Sequence, residues 1–247
     1  MAPKLKLVYF NIRGRGELIR LILHAGAITF TDERIPYEEW AQCKNQAPNG
    51  QVPYVEVDGK QYGEVLPIVR FVAKKCALQG KREDEQFYVE ILLEQIHKFR
   101  DQLIRPKIDP LLNKGQKQYL EKKLQEEAIP KFLNRVEEAL KLSRSGFILG
   151  GEVSTSLCLP LAHTDLCLSV PLPGQMTVAD LSIWDTVDAL CSQKPDIIAV
   201  FPKILEHRGR IRPPDQDMPK NPKTKPEQAG PPTGPPTGPP PAAPPTK

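Results

Sequence analysis

The chain has 247 residues, enough for one large domain or two small ones, and a formal net charge of +4. Residues 208–247 carry seven basic against three acidic residues, so the charge excess lies at the carboxyl end and gives no indication of nucleic-acid binding. The five cysteines show no CxxC spacing and no apolar run reaches membrane-spanning length. Together these features predict a cytoplasmic protein with reduced thiols and no membrane segment.

The first eighty residues predict the element order βαβαββα. Residues 5–10 alternate as in a strand covered on both faces, and "LIRLILHAG" predicts a helix that ends near Gly26. A second strand and a short helix, "YEEWAQCK", precede "VPYVEVDGKQYG", which predicts a hairpin with its turn at Asp58–Gly59. The segment "EVLPIVRFVAKKC" then predicts an amphipathic helix, with Pro67 tolerated near its first turn.

Long helical periodicity begins at Glu83. Apolar residues at helical spacing predict a long first helix and further helices up to residue 211. The stripe of the first helix consists of Phe87, Ile91, Leu92, Gln95 and Phe99. The sequence therefore predicts an α/β domain over residues 1–80 and an all-helical domain over residues 83–211.

The clearest helix start lies in "MTVADLSIWDTVDAL". Thr177 and Asp180 have the spacing of a capping box, in which each residue satisfies a backbone group of the other. Met176 and Leu181 have the spacing of the accompanying hydrophobic staple. The pattern predicts a helix whose N-terminus is firmly fixed.

An irregular segment, residues 153–175, interrupts the helical half. It has three prolines, one charged residue and no helical period, which is unusual for a loop inside a compact domain. Its initial Val-Ser can be encoded by a splice-donor-like sequence, and its Leu/Ser/Pro-rich end by a pyrimidine tract with an acceptor. We hypothesise that these 23 codons are a retained or wrongly included intron. His163, Asp165 and Cys167 have no second ligand cluster, so we predict no metal site.

The last 35 residues, 213–247, contain fourteen prolines. This composition cannot bury enough apolar surface to offset the entropy of ordering, so it predicts a disordered, partly polyproline II tail. Its repeat has a period of four, which excludes the glycine register of collagen. Two roles stay open, a solubilising tail and a PxxP-type ligand for the aromatic groove of an SH3 or WW domain.

The stretches "KLVYFNIRGRGELIRLIL", "QVPYVEVDG" and "TVADLSI", with the helical half, resemble the cytosolic glutathione transferases, specifically the sigma class. That class includes glutathione-dependent prostaglandin D synthases and squid lens crystallins. The resemblance covers Lys4 to Ile211 apart from the irregular segment. It implies a thioredoxin-like α/β domain followed by an all-α domain, a homodimer, and glutathione as the co-substrate in detoxification.

The resemblance implies two catalytic residues. Tyr9 matches the tyrosine that donates its hydroxyl to the glutathione sulfur, although a buried core tyrosine is the alternative from the residues alone. A thiol pKa of about 8.5 leaves little thiolate at neutral pH. A hydrogen bond worth about 2–3 kcal/mol to the charged form lowers that pKa by roughly two units. Arg15 matches the arginine beside that tyrosine, close to the sulfur.

The resemblance also implies a set of glutathione contacts. Trp40 and Lys44 match the pair that grips the glycine end, with Lys44 as a point charge for its carboxylate, and an ordinary surface helix is the alternative. Gln51 matches a further contact. Pro53 looks like the family's cis-proline, which would free the Val52 backbone to pair with the cysteinyl part.

At the γ-glutamyl end the sequence departs from the family pattern. The sigma Gln-Ser is replaced by Glu64-Val65, and the valine lacks the hydroxyl that the serine gives to the γ-glutamyl carboxylate, a loss of about 1.5–3 kcal/mol. Glu64 resembles the acid of other classes that meets the glutathione ammonium. Lys98 stands where an aspartate usually reaches across from the other subunit, and could pair with Glu64 or attract the γ-glutamyl carboxylate.

Two functions stay open from the sequence. One is an enzyme that joins the glutathione thiolate to small hydrophobic electrophiles, with prostaglandin isomerisation as a further activity. The other is a catalytically weak or inactive binding or structural protein, as the lens crystallins are. Candidate residues for the electrophile pocket are Phe10, Arg100, Leu103 and Ile104.

Overall fold

The computed structural model describes residues 4–149 and 175–211. The strands are β1 (Leu5–Phe10), β2 (Thr31–Ile35), β3 (Tyr54–Val57) and β4 (Lys60–Tyr62). They form one sheet in the order β2-β1-β3-β4, in which β1 and β2 are parallel and the other neighbours antiparallel. The helices among them are α1 (Glu17–Ala25), α2 (Trp40–Cys43) and α3 (Val65–Lys75). The predicted order βαβαββα is confirmed.

The alternation along β1 lets the sheet be covered on both faces. Leu5 and Leu7 are buried in the main core, which also includes apolar residues of α1 and α3. Val8 is fully buried in a second cluster with Ile35 and Tyr54. The prediction of a two-sided strand is confirmed, and Tyr9 lies near its end.

The hairpin of β3 and β4 turns at Asp58 and Gly59. Both residues have positive φ angles, 50° and 82°, and Val57 pairs with Lys60 across the turn. Two consecutive left-handed residues match the twist of the flanking strands, and the aspartate and glycine are residues that tolerate this conformation. The predicted hairpin is confirmed.

The regular elements of the described residues after Gly80 are all helical, which confirms the predicted all-α second half. The helices are α4 (Glu83–Ile108), α5 (Lys114–Lys123), α6 (Ile129–Leu142), α7 (Val178–Gln193) and α8 (Pro202–Arg210). A π-helical turn, Leu124–Ala128, joins α5 to α6. Pro130 follows it and has no N–H for a regular helical bond. No helix within residues 4–149 and 175–211 is long and apolar enough to cross a membrane.

The buried face of α4 agrees with the predicted stripe only in part: Leu92 and Phe99 are buried, as predicted. Phe87 is 64% exposed, whereas Val89, Leu93 and Ile96 are buried. Phe87 precedes Val89 by two positions, which is a rotation of about 200° around the helix, so the two side chains cannot share a face. Both residues are apolar, and the sequence alone did not distinguish which one faces the core.

The start of α7 confirms the predicted capping box. The backbone N–H and the hydroxyl of Thr177 both donate to Oδ2 of Asp180, at 2.9 and 3.0 Å. The other carboxylate oxygen, Oδ1, accepts the N–H of Ile148 at 2.7 Å and lies 3.0 Å from Nε2 of His207. One buried carboxylate therefore joins α7 to α8 and to the chain beyond α6.

The residues that flank the predicted irregular segment are anchored on both sides. Leu149 is 2% exposed and follows Ile148, and the N–H of Val178 donates to the carbonyl of Leu78 at 2.8 Å. The segment 153–175, apart from Gln175, lies outside the described residues, as does the predicted tail over 213–247.

Deletion of residues 153–175 should leave the fold intact. Every anchoring contact named above remains in the shortened chain, and a shorter connection costs slightly less closure entropy. We expect the free energy of unfolding, measured by urea denaturation, to equal or slightly exceed that of the full chain. A loss of more than about 1 kcal/mol would mean that the segment packs as part of the domain.

Sequencing of the transcript tests the intron hypothesis separately. Presence of the codons for residues 153–175 in the dominant mature transcript would contradict it.

Candidate functional site

Tyr9 is held at the end of β1 with only 6% of its surface exposed. Its hydroxyl oxygen accepts the backbone N–H of Arg15 at 3.1 Å. Burial raises the pKa of Tyr9 above its ordinary value, and the hydrogen bond and positive charge of Arg15 oppose that rise only in part. The phenol is therefore protonated at neutral pH, and its O–H can be donated to a further group.

Two glycines make room for this tyrosine. A β-carbon on Gly14 would lie 2.6 Å from the hydroxyl oxygen of Tyr9, and one on Gly16 would lie 2.5 Å from its ring carbon Cδ1. Any side chain at either position would have to displace the ring. The alternate glycines of "RGRGE" are thus explained by close approach to Tyr9.

A cavity of about 340 Å³ lies beside Arg15, between the sheet edge, the start of α3 and one face of α4. Six of the ten residues predicted for the site line it, namely Arg15, Gln51, Val52, Pro53, Glu64 and Val65. The Val52–Pro53 peptide bond is cis, as the family resemblance implied. Tyr9 does not line the cavity itself and is connected to it through Arg15.

Trp40 and Lys44 lie outside this cavity. The ring of Trp40 packs edge-on against Phe10, with centroids 5.6 Å apart. Lys44 is exposed, and the methylene chain of this lysine lies against Gly50, beside the turn that leads into Gln51. Neither residue lines the cavity, and their role at the glycine end of glutathione stays a prediction.

The α4 wall of the cavity was not predicted. It consists of Glu94, His97 and Asp101, whose spacing places them along one helical face. That periodicity was present in the sequence and could have identified them. Lys98 is exposed and does not line the cavity of the single chain. Its contact across a subunit boundary stays a prediction.

The entrance of α3 is an unusual helix start. Glu64, the N-cap residue, has φ 68° and ψ 119°, a sparsely populated conformation that costs about 1–3 kcal/mol and is often found at functional sites. Val65 and Leu66 open the helix, so their N–H groups have no carbonyl one turn earlier. Pro67, the third residue, has no N–H. Two backbone amides are therefore available at this end of the cavity.

The arginines of the cavity are already paired with carboxylates of α4. Arg15 lies 2.8 Å from an Asp101 oxygen, and Arg70 lies 3.0 Å from an oxygen of Glu94. Glu64 forms no ion pair with any residue that the structure describes. A ligand carboxylate would therefore bind to the backbone amides at the start of α3. A ligand ammonium could pair with the carboxylate of Glu64.

The described residues contain no group of three side chains that could hold a metal ion. His163, Asp165 and Cys167 lie outside the described residues.

Comparison with known proteins identifies the family. No family model matches the chain. The chain is 37% identical over 152 residues to a probable glutathione S-transferase 9 of Caenorhabditis elegans, which covers 60% of the chain and 73% of the relative. It is 32% identical over 213 residues to glutathione S-transferase 1 of Ascaris suum, which covers 83% and 90%.

A solved structure has the same fold. Prostaglandin synthase D of Nilaparvata lugens superimposes with a TM-score of 0.69 at 26% identity, over 85% of this chain and 92% of that one. The likeness confirms the predicted thioredoxin-like sheet domain followed by a helical domain. The chain belongs to the glutathione S-transferase family.

Proposed function

We propose that the chain is an enzyme that joins the thiolate of glutathione to small hydrophobic electrophiles. The carrying observation is the position of Arg15. Its backbone N–H binds the hydroxyl of Tyr9, and its side chain lines the cavity that Pro53 and the start of α3 also line. One residue thus joins a buried phenol to a cleft large enough for a peptide-sized ligand.

Tyr9 would activate the thiol. Its hydroxyl accepts one hydrogen bond from Arg15 and donates its own proton toward the sulfur, which stabilises the thiolate over the thiol. The thiol proton passes to solvent. The thiolate then attacks the electrophilic carbon, forming the S–C bond as the leaving group departs from that carbon with its bonding electrons, while Tyr9 keeps its proton. Holding both reactants together supplies the rest of the acceleration.

The γ-glutamyl end of glutathione would lie at the entrance of α3. The amides of Val65 and Leu66 receive its carboxylate, as helix N-termini do for anions. Glu64 faces its ammonium, and Lys98 of the partner subunit offsets the acid in a homodimer. Trp40 and Lys44 hold the glycine end, and the backbone of Val52 pairs with the cysteinyl part.

A prediction at the γ-glutamyl end concerns Val65→Ser. The added hydroxyl would give the carboxylate a third donor, so glutathione affinity should rise about tenfold or more. Val65→Ala is the matched control, because it loses the same packing without adding a donor. Calorimetric titration measures both. If the serine variant binds glutathione no more tightly than the alanine variant, the proposed binding of the γ-glutamyl carboxylate beside Val65 is wrong.

Several finer assignments belong to the proposal. The motifs around Tyr9 favour the sigma class, a cytoplasmic homodimer and a role in detoxification. Similarity to prostaglandin synthase D of Nilaparvata lugens motivates a prostaglandin isomerase activity. Incubation with prostaglandin H2 and glutathione tests it, and absence of isomerised product would exclude it.

The alternative is a catalytically weak transferase-fold protein that binds or serves a structural role. Val65 favours it, because a valine gives no hydroxyl to the ligand. Retention on immobilised glutathione and turnover of a general electrophile distinguish the two. A chain that is not retained and shows no Tyr9-dependent rate would overturn the enzyme proposal.

A further inference from the structure

Arg100 lies on α4 but is held by groups outside that helix. Its guanidinium forms an ion pair with Asp185 of α7, and the two side chains are 15% and 2% exposed. A second nitrogen of the same guanidinium, Nη2, donates to the carbonyl oxygen of Gly14 at 3.3 Å. Both terminal nitrogens of the Arg100 guanidinium are therefore engaged, and the role of Arg100 in the electrophile pocket stays a prediction.

The carbonyl of Gly14 and the N–H of Arg15 belong to one peptide unit. Such a unit is planar and rigid, so fixing one end fixes the direction of the other. The N–H end binds the hydroxyl oxygen of Tyr9 at 3.1 Å. The carbonyl end accepts both Arg100 and, at 3.1 Å, the N–H of Glu17. Arg100 and Tyr9 thus bind opposite ends of the same peptide.

A charged donor on a carbonyl also polarises the peptide, which strengthens the hydrogen bond made by its N–H. The positive charge of Arg100 also opposes the rise in the pKa of Tyr9, because it favours negative charge on the phenol oxygen. Burial raises the pKa of Asp185, and its pairing with Arg100 opposes that rise. The ion pair with Asp185 therefore keeps the charged guanidinium of Arg100 in a largely buried position beside the peptide.

We propose that Arg100, held by Asp185, is a positioning residue for Tyr9: it fixes the Gly14–Arg15 peptide in the orientation that binds the phenol oxygen. Its catalytic consequence rests on the proposed function. Without Arg100 the Gly14 carbonyl keeps only the N–H of Glu17 as its donor, so the peptide is held less firmly and the O–H of Tyr9 points less precisely toward the sulfur.

The experiment separates this role from a contribution to stability alone. Arg100→Met removes the donor but leaves the acid of Asp185 buried and unpaired, which lowers stability. Arg100→Met combined with Asp185→Leu removes both charges and restores stability, yet still leaves the Gly14 carbonyl without this donor. Arg105→Gln is the control, since Arg105 lies on the same helix with its side chain 62% exposed.

We expect the double variant to fold as stably as the wild type and to show a kcat reduced about tenfold to a hundredfold. KM for glutathione should change little, and the midpoint of the pH–rate profile should rise by about one pH unit. Arg100→Lys, which keeps a charge for Asp185 but not the fork, should be stable and still impaired. Arg105→Gln should behave as the wild type.

A second readout needs no substrate. The NMR signal of isotopically labelled Tyr9, assigned by its loss in Tyr9→Phe, should shift in the double variant of the ligand-free protein and not in Arg105→Gln. A stable double variant with wild-type kcat, wild-type pH profile and an unshifted Tyr9 signal would overturn the inference. A wild type that neither binds glutathione nor turns over would overturn the proposed function, and the NMR signal alone would then decide the inference.

Discussion

Replacing Tyr9 by phenylalanine should lower the rate of glutathione conjugation at neutral pH by about thirty- to a hundredfold. The variant keeps the ring that fills the space between Gly14 and Gly16 but loses the O–H that stabilises the thiolate. A hydrogen bond worth about 2–3 kcal/mol corresponds to this factor in thiolate population. Glutathione affinity should change much less, because the γ-glutamyl and glycine ends do not contact the phenol.

The pH dependence of the rate gives the check on this prediction. The thiolate of bound glutathione should form at lower pH in the wild type than in Tyr9→Phe, so the two rates should converge as the pH rises above the pKa of the free thiol. Tyr54→Phe is a matched control, since Tyr54 is 7% exposed and lies on the neighbouring strand β3. An unchanged rate in Tyr9→Phe would remove the phenol from the mechanism.

Replacing Asp180 by alanine should destabilise the chain by about 3–5 kcal/mol, which is a large part of the 5–15 kcal/mol typical of a folded domain. Asp180 is fully buried and receives donors from Thr177, Ile148 and His207. Its removal leaves these buried donors without an acceptor and separates α7 from its neighbours.

Denaturant unfolding measures this loss as a shift in the midpoint. Asp180→Asn keeps one carbonyl oxygen, so its free energy of unfolding should fall less. This variant can be measured if the alanine variant does not fold. Asp196→Ala, at an exposed aspartate after α7, should stay within about 0.5 kcal/mol of the wild type. An Asp180→Ala midpoint equal to that of the wild type would contradict the role of the carboxylate.

Local signals predicted the parts of the fold that depend on neighbouring residues. The turn at Asp58–Gly59 needs two left-handed residues, and its dipeptide supplies them. The capping box of Thr177 and Asp180 depends on a spacing of three. Family motifs added the cis peptide before Pro53, which no local pattern could have supplied. Of these features, the cis peptide lies in the lining of the cavity.

The remaining parts depend on contacts distant in the sequence. Helical spacing could not choose between Phe87 and Val89 for the core, because both are apolar and only packing decides. Nothing near Arg100 indicated that its fork would bridge Asp185 and the carbonyl of Gly14. Contacts between residues so distant in the sequence are identified from the folded structure and not from local sequence patterns.

Glutathione should bind in the cavity beside Arg15. Isothermal titration calorimetry of the full chain with glutathione tests this directly. We expect saturable binding of one glutathione per protomer, with a dissociation constant between about 1 μM and 1 mM, the range in which enzymes usually hold their substrates. A titration without binding heat at several temperatures, up to millimolar glutathione, would contradict the account.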